Sequence, residues 1–406
     1  MSLRLTGLLA STALCNVAPA QTTLLVGPGG FADIGAAIAA ASPGDFVVVA
    51  GGGYPPFTLN KGLTITAAPG AIVRIGNVGL ALATTRFVIP SGQQALVEGI
   101  EFRNQLIFGY TQVVTVDGSE IEFSDCLFEG QAYLPDAVLT IRDSDVVMHR
   151  CNVAGGGRLR VNQSGAGGDG LRLERSRLAA TLTTFAGGHL HWDFIGKGGD
   201  AILAVDSQVQ LSHCIATGGN NDFISPGWPP GNGMVVHPTS AVWLADCIVL
   251  GGHGNAGAGA TALVNLSPIP VELARTTLGG GSGSPAGSAS TGAVVTAPLL
   301  GAYSSGSFVR GNGWQATFAA PPSTPIIALA APLLAPGADP RIAQPIWFPP
   351  GSTPAFAGVT DGTGRAVFAT AVPNDPALLH RSAWLSAFAG TALPLEGAPP
   401  LGGVVR

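Results

Sequence analysis

The sequence predicts an all-β solenoid, and three observations carry that expectation. The composition is that of short apolar strands joined by tight turns: 59 Gly and 31 Pro in 406 residues, 46% hydrophobic and only 11% charged. A four-position pattern recurs, defined by Val209, Leu211, Cys214 and Ala216, in which the second residue lies two after the first, the third five after and the fourth seven after. The corner position of that pattern, held by Cys or Thr, steps along the chain by 25, 32, 31, 33 and 29 residues (126 to 151, 151 to 183, 183 to 214, 214 to 247, 247 to 276). Periods of about 20 to 50 residues mark repeat architectures in which each unit buries its apolar face only against its neighbours.

Residues 1–20, "MSLRLTGLLASTALCNVAPA", combine Arg4, a short apolar stretch and the small-residue pattern Ala18-Pro19-Ala20, and predict a cleaved secretory signal peptide. Asn16 and Pro19 interrupt the apolar run too early for a membrane span of about 20 residues, and no later segment predicts a span. Residues 21–280 predict the solenoid. It opens on an amphipathic helix with Phe31, Ile34, Ile38 and Ala41 on one face. Such a helix plugs the end of an apolar column, where bare strand edges otherwise invite aggregation.

The coils follow. Ala95, Val97, Ile100 and Phe102 give a weak first match; Ile121, Phe123, Cys126 and Phe128 a full one, repeated through Val146, Met148, Cys151 and Val153 to Val271, Leu273, Thr276 and Leu278. The i, i+2 alternation sends apolar side chains inward, and the odd step to the Cys/Thr position marks a sharp corner between two strands. Another short strand precedes several sets, opened by Asp136, Asp169, Asp200 or Asn232 and ended at a corner by Ser144, Ser176, Ser207 or Ser240. The variation in period falls between the end of each set and the next Asx-containing strand, so one edge carries the elastic loops. Residues 281–300, which include "GGGSGSPAGSAS", predict a Gly/Ser-rich linker or a frayed last loop. Residues 301–406, with short apolar stretches such as "WQATFAA", "RAVFATAVP" and "AWLSAFAG", predict a small antiparallel β-sandwich-like module.

This pattern, together with the stretch "GPGGFADIGAAIAAASPGDFVVVAGGGYPPFTLNKGLTITAAPGAIVRI", resembles the pectate-lyase-like (pectin-lyase-like) right-handed parallel β-helix, with its amino-terminal capping helix. The resemblance covers roughly residues 23 to 300 and implies three short strands per coil, stacked in register. It is specific for fold. "VTDGTGRAVFATAVPNDPALLHRSAWLSAFA" is similar to a carboxy-terminal module of various exported bacterial repeat proteins, which implies an accessory or attachment role.

Function classes narrow next. With a net charge of −5 and only Lys61 and Lys197 as lysines, no basic stripe exists to neutralise a phosphate backbone, so a nucleic-acid partner is not expected. Beyond the leader stand Cys126, Cys151, Cys214 and Cys247. Equivalent residues on stacked coils lie about 4.8 Å apart, which admits disulfides between Cys126 and Cys151 and between Cys214 and Cys247. It equally admits a buried ladder of thiols interchangeable with Thr183 and Thr276. His213, beside Cys214, suggests a Cys-His pair, but Asp125, Arg150, Leu182, Asp246 and Arg275 fill the same slot in other coils, as suits an outward position.

The Asx column, Asp136, Asp169, Asp200 and Asn232, reads either as side chains bonding the backbone of their own turns, as a Ca²⁺ site, or as a paired acid and base. The loops supply "HLHWDFIGKGGD" and "NNDFISPGWPPGNG" from adjacent coils, forming one shelf. His189, His191, Trp192, Asn221, Asp222 and Trp228 are the candidate binding residues, since indole faces stack on sugar rings and polar neighbours grip hydroxyls. Asp193 or Asp200 as acid/base and Lys197 as charge stabiliser are the candidate catalytic set. No resident cofactor is expected, Ca²⁺ remaining an option; His189 and His191 lack an evident third metal ligand. "GGHG" at 251–254 is similar to the Gly-His-Gly of polygalacturonases, whose companion motifs are absent. The expectation is an exported or cell-surface β-helix that binds an extended polysaccharide or surface glycan without catalysis; the alternative is a polysaccharide lyase or glycoside hydrolase with its site on the shelf.

Overall fold

The computed structural model describes residues 21–76, 84–103, 113–130, 136–157, 167–189, 197–221, 228–255, 257–297, 300–306, 308–331, 334, 339–344, 346–348, 352–375, 378–379 and 381–405. The predicted signal peptide lies outside them. The chain divides into two units, one spanning Thr23–Gly301 and the other holding Ala302–Arg406.

Three parallel sheets of 11, 9 and 9 strands build the first unit. Each full coil contributes one strand to each, as in Leu139–Arg142, Asp145–His149 and Asn152–Ala154. These pair in register with Leu171–Glu174, Arg177–Thr181 and Thr184–Ala186 of the next coil. The architecture is a parallel β-helix, right-handed as the connections between parallel strands nearly always are. The sequence offsets map directly onto stacks: Ile121 pairs with Val146, Val146 with Leu178, Leu178 with Val209 and Val209 with Val242. All five are buried. Phe102 stacks on Phe128 with centroids 5.0 Å apart, and Phe123 meets Phe128 edge-on at 5.1 Å. Truncating one such ring leaves a cavity costing about 3–5 kcal/mol.

The predicted helix is Ile34–Ala40. The Asp33 carboxylate caps its first turn by accepting from Ala36 N–H at 2.7 Å. Lys61 closes the other end, its ammonium donating to the carbonyls of Ile38 and Ala41 at 2.8 and 2.7 Å. Ile34, Ala37 and Ile38 are buried in the solenoid core.

Both short corners have a left-handed residue. Asp125, Arg150, Leu182, His213, Asp246 and Arg275 have φ of 53, 50, 53, 53, 54 and 48°, and Gly99 takes the same slot one coil earlier at 69°. At the other corner Asp143, Arg175 and Asp206 have φ of 48, 49 and 50°, with Gly118 at 56° before them. A non-glycine residue costs about 1–2 kcal/mol in this region, and ladders at the next position offset it. Ser144 Oγ donates to the Arg142 carbonyl and accepts from Ser119 N–H at 3.0 Å; Ser176 and Ser207 repeat the arrangement.

The Cys/Thr corner follows the same rule. Thr183 Oγ1 donates to the carbonyl two residues back at 3.0 Å, and the Cys214 and Cys247 thiols do so at 3.3 and 3.2 Å. Among the described residues the four thiols, Cys126, Cys151, Cys214 and Cys247, are free and buried. Burial pushes those of Cys126 and Cys247 well above the usual thiol range.

One boundary differs from the sequence reading. Residues 281–300, expected as a linker, complete the last coil: Ser290–Thr291 pairs with Leu263 and Val264, and Val294–Thr296 with Val271–Leu273. The second unit is formed of two sheets whose pairings include antiparallel ladders such as Gly313–Ala319 with Arg365–Ala371 and Pro325–Ala331 with Ser382–Ala389. Among the described residues no helix is long and apolar enough to cross a membrane.

Candidate functional site

The loop-bearing edge is closed by a glycine spine. The last inward residue of each coil, as Val153, Phe185, Ala216, Val249 and Leu278, is followed at a fixed offset by Gly155-Gly156, Gly187-Gly188, Gly218-Gly219, Gly251-Gly252 and Gly280-Gly281. The backbone leaving a coil and the backbone returning to the next alternate along one ladder. Gly188 N–H donates to Gly168, Gly199 to Gly188, Gly219 to Gly199 and Gly231 to Gly219, at 2.8 to 3.0 Å. A Cβ on Gly231 would lie 1.7 Å from the Gly199 carbonyl oxygen, and one on Gly187 1.9 Å from the same atom. Only glycine admits this approach; Ala260 stands in the spine once. The chain is therefore pinched before every loop departs.

Lys197, Asp200 and Asp169 meet where the loop after His189 returns. Asp200 Oδ1 accepts from Lys197 Nζ at 2.8 Å, from Asn232 N–H at 2.6 Å and from Asn232 Nδ2 at 3.0 Å, while Oδ2 accepts from Lys197 Nζ at 2.7 Å. Asp169 Oδ1 accepts from Asp200 N–H at 2.8 Å. Asp169 and Asp200 thus accept from the backbone of the next coil rather than of their own turns, one of the readings the sequence left open. Burial pushes the Asp169 carboxyl up to about 6, reinforced by the Asp200 charge and opposed by the Asp200 N–H and Lys197. Among the described residues, no three His, Cys, Asp or Glu side chains converge on a metal position.

The remaining candidates divide. His189 is exposed, and its Nδ1 accepts from Asn220 N–H at 3.0 Å. Asn221, predicted as a ligand contact, is buried; its Nδ2 donates to the Trp228 carbonyl at 2.6 Å and its N–H to His253 at 2.8 Å, so it staples the loop's two ends. Trp228 is 41% exposed. His191, Trp192, Asp193 and Asp222 lie outside the described residues. Sequence reading stacked Asp169 with Asp200 but missed His253 as a member of the edge; the signal was its fixed offset from the glycine pair Gly251-Gly252. His213 sits in its left-handed corner slot, 3.9 Å from Asp246, whose carboxylate Arg275 holds at 2.7 Å. It belongs to a corner ion-pair column that also contains Asp125 and Arg150.

No family model matches the chain, and no curated protein does. Solved structures do. The crystal structure of pectate lyase Pel9A is 14% identical with a TM-score of 0.37, the match covering 64% of this chain and 78% of that one. Tailspike protein 3 of bacteriophage CBA120 is 10% identical with a TM-score of 0.25, over 59% of this chain and 48% of that one. Tailspike protein 2 from Escherichia coli O157:H7 bacteriophage CAB120 is 9% identical with a TM-score of 0.26, over 89% of this chain and 64% of that one. The chain spans less than two thirds of either tailspike. The parallel β-helix of this chain is read from its own three stacked parallel sheets. Fold alone leaves activity to be read from the edge itself.

Proposed function

We propose that the protein is an exported or surface-held polysaccharide-binding module whose binding edge is the loop-bearing side of the solenoid. The carrying observation is that successive coils deliver His189, Trp228 and His253 to one edge, outside a glycine spine that fixes where each loop starts and ends. A half-exposed indole beside fixed polar side chains suits a sugar ring with its hydroxyl rim. Binding without turnover is the primary reading, because Lys197 and Asn232 together engage both Asp200 oxygens.

The test is affinity electrophoresis on a panel of neutral and acidic polysaccharides, with Trp228→Ala as the control. Retardation by at least one glycan, reduced in the variant, supports the module; no retardation by any overturns it.

One observation favours a second reading, a glycoside hydrolase or lyase. Asp169, held near 6, neighbours an Asp200 that Lys197 keeps paired, and equivalent positions on adjacent coils are about 4.8 Å apart. That is near the spacing of about 5–5.5 Å between carboxyls in retaining glycosidases, and a carboxyl raised to about 6 beside an ion-paired one suits general acid–base work. Release of reducing ends or unsaturated products, with and without added Ca²⁺, and its loss in Asp169→Asn, would establish this reading instead.

A further inference from the structure

The solenoid has one blocked end and one open end. At the first, the chain folds back across its opening strand Thr23–Val26: Phe31 N–H donates to the Leu25 carbonyl at 2.8 Å, and the helix Ile34–Ala40 covers the apolar column. At the far end Val294–Thr296 is the last strand of the 11-stranded sheet, and among the described residues nothing pairs with its outer edge. Its inner edge is fixed by Val271 N–H, which donates to the Ala293 carbonyl at 3.1 Å, and by Ala297 N–H, which donates to the Leu273 carbonyl at 2.8 Å. Bonding direction alternates along a strand, so Val294 and Thr296 turn their N–H and C=O groups to the open side. The surface around this edge is apolar. Val294 and Val295 are 39% and 43% exposed, and the corner loop before Val271–Ala274 adds Leu266 at 54% and Ile269 at 43%. Asn265 Nδ2 joins that loop to the edge, donating to the Ile269 and Ala293 carbonyls at 3.0 and 2.7 Å. Natural sheet edges are ordinarily protected by lysine, proline or a covering element. Here residues 276–309 carry no charged side chain, and residues 290–297 contain no proline.

We propose that this end is an interface with a second copy of the chain, the two Val294–Thr296 strands pairing antiparallel about a two-fold axis at Val295. That register sets Val294 of each copy opposite Thr296 of the other, the residues whose backbone groups face outward, so each outward donor meets an acceptor. Val295 then faces its own counterpart in the closer, non-hydrogen-bonded kind of pair, with Cα atoms about 4.5 Å apart. A second copy fits the edge better than an unrelated partner on two counts. The edge asks for an extended strand, and this strand is its own complement. The neutral segment also sets no charge against itself, although each chain carries a net charge of −5. Because the opening strand is blocked, head-to-tail stacking has no second edge to use, and association closes at two copies.

Sedimentation velocity of the full chain across a concentration series tests this, and a two-chain species is expected. Val295→Lys, which brings two ammonium groups together on the axis, should weaken association about a hundredfold. Tm at low protein concentration should hold, because the side chain is exposed in the single chain. Leu25→Lys, an exposed position at the blocked end, should leave the mass unaltered. Val295→Cys should cross-link the pair on addition of glutathione disulfide, two protein thiols joining as one glutathione disulfide is reduced to two thiols; the native cysteines are buried. Val294→Cys, whose two copies lie farther apart in this register, should not. A single-chain mass at every concentration overturns the proposal, including the case in which residues 302–406 of the same chain shield position 295, which an unreactive thiol in Val295→Cys would reveal. A two-chain mass untouched by Val295→Lys, or a mass that keeps growing with concentration, overturns it as well.

Discussion

The Lys197 ammonium donates to both oxygens of the Asp200 carboxylate, at 2.8 and 2.7 Å, from three residues earlier in the chain. The two residues bracket the Gly198-Gly199 pair, so the ion pair fastens the returning end of a loop to the spine. Asp200 is buried, and it also holds Asn232 N–H of the next coil. Asp200→Ala is expected to cost about 1–3 kcal/mol, because a buried amide loses its acceptor. Lys197→Met should cost less, about 1 kcal/mol, since the lysine is partly exposed. Urea unfolding of the two variants checks the order; a larger loss in Lys197→Met would contradict it.

Asp169 gives a pH signature. Its folded-state pKa of about 6 lies above the ordinary carboxylate value, so the folded chain holds this proton more tightly than the unfolded one. Its contribution is therefore greatest at acid pH and declines as pH rises from about 4 to about 6. Asp169→Asn, which keeps an acceptor for Asp200 N–H, should raise stability on the order of 2 kcal/mol at pH 7.5 and leave it nearly unchanged at pH 4. A thermal-unfolding series across that range reads the difference directly.

His149 has the opposite sign. Burial, aided by the Arg150 charge, holds it down to about 3, with its Nδ1 2.6 Å from Thr181 Oγ1. The unfolded chain takes up this proton first, so stability falls as pH drops below about 6.5. A His149→Gln variant should lose less stability between pH 6.5 and pH 4 than the parent does. Identical acid limbs for the two proteins would remove His149 from the account.

The Cys/Thr corner predicts an exchange. Cys151→Thr should be accepted within about 1 kcal/mol, since Thr183 makes the equivalent bond to the carbonyl two residues back. Burial also keeps the native thiols from a thiol-specific reagent, and all four should react once the chain is denatured. Rapid labelling of the folded protein would show that the column opens.

A matched pair of glycine substitutions isolates the spine. Gly231→Ala drives a methyl into the Gly199 carbonyl and should cost about 3 kcal/mol or more. Gly257→Ala, at a position where an added Cβ meets nothing within 4 Å, should be nearly silent. Comparable melting temperatures for the two would mean that the spine yields.

Much of the fold was legible because the inward side chains obey fixed offsets. Val209, Leu211 and Ala216 each predict a residue one coil away, and the register bears this out. The conformation of His213 was less legible: Asp, Arg, Leu and His share its slot, so residue type conceals a left-handed corner that only Gly99 announces. The Gly/Ser run after Leu278 was misread because a flexible linker and a close-packed glycine spine share a composition. What separates them is offset: Gly280-Gly281 follows Leu278 as Gly218-Gly219 follows Ala216. The stacking of His253 between Asn220 and Ser282, through bonds of 2.9 and 3.0 Å, escaped for a related reason. "GGHG" was compared with a short motif, when its meaning lay in the residues stacked above and below it.

The glycine spine has an architectural consequence. Because each excursion begins and ends at hydrogen-bonded backbone, lengthening it leaves the core packing untouched, and doubling a flexible segment adds only about 0.6 kcal/mol of closure entropy. The coils are thus a chassis whose fittings can be exchanged one at a time: what the surface recognises can be rewritten without solving the folding problem again.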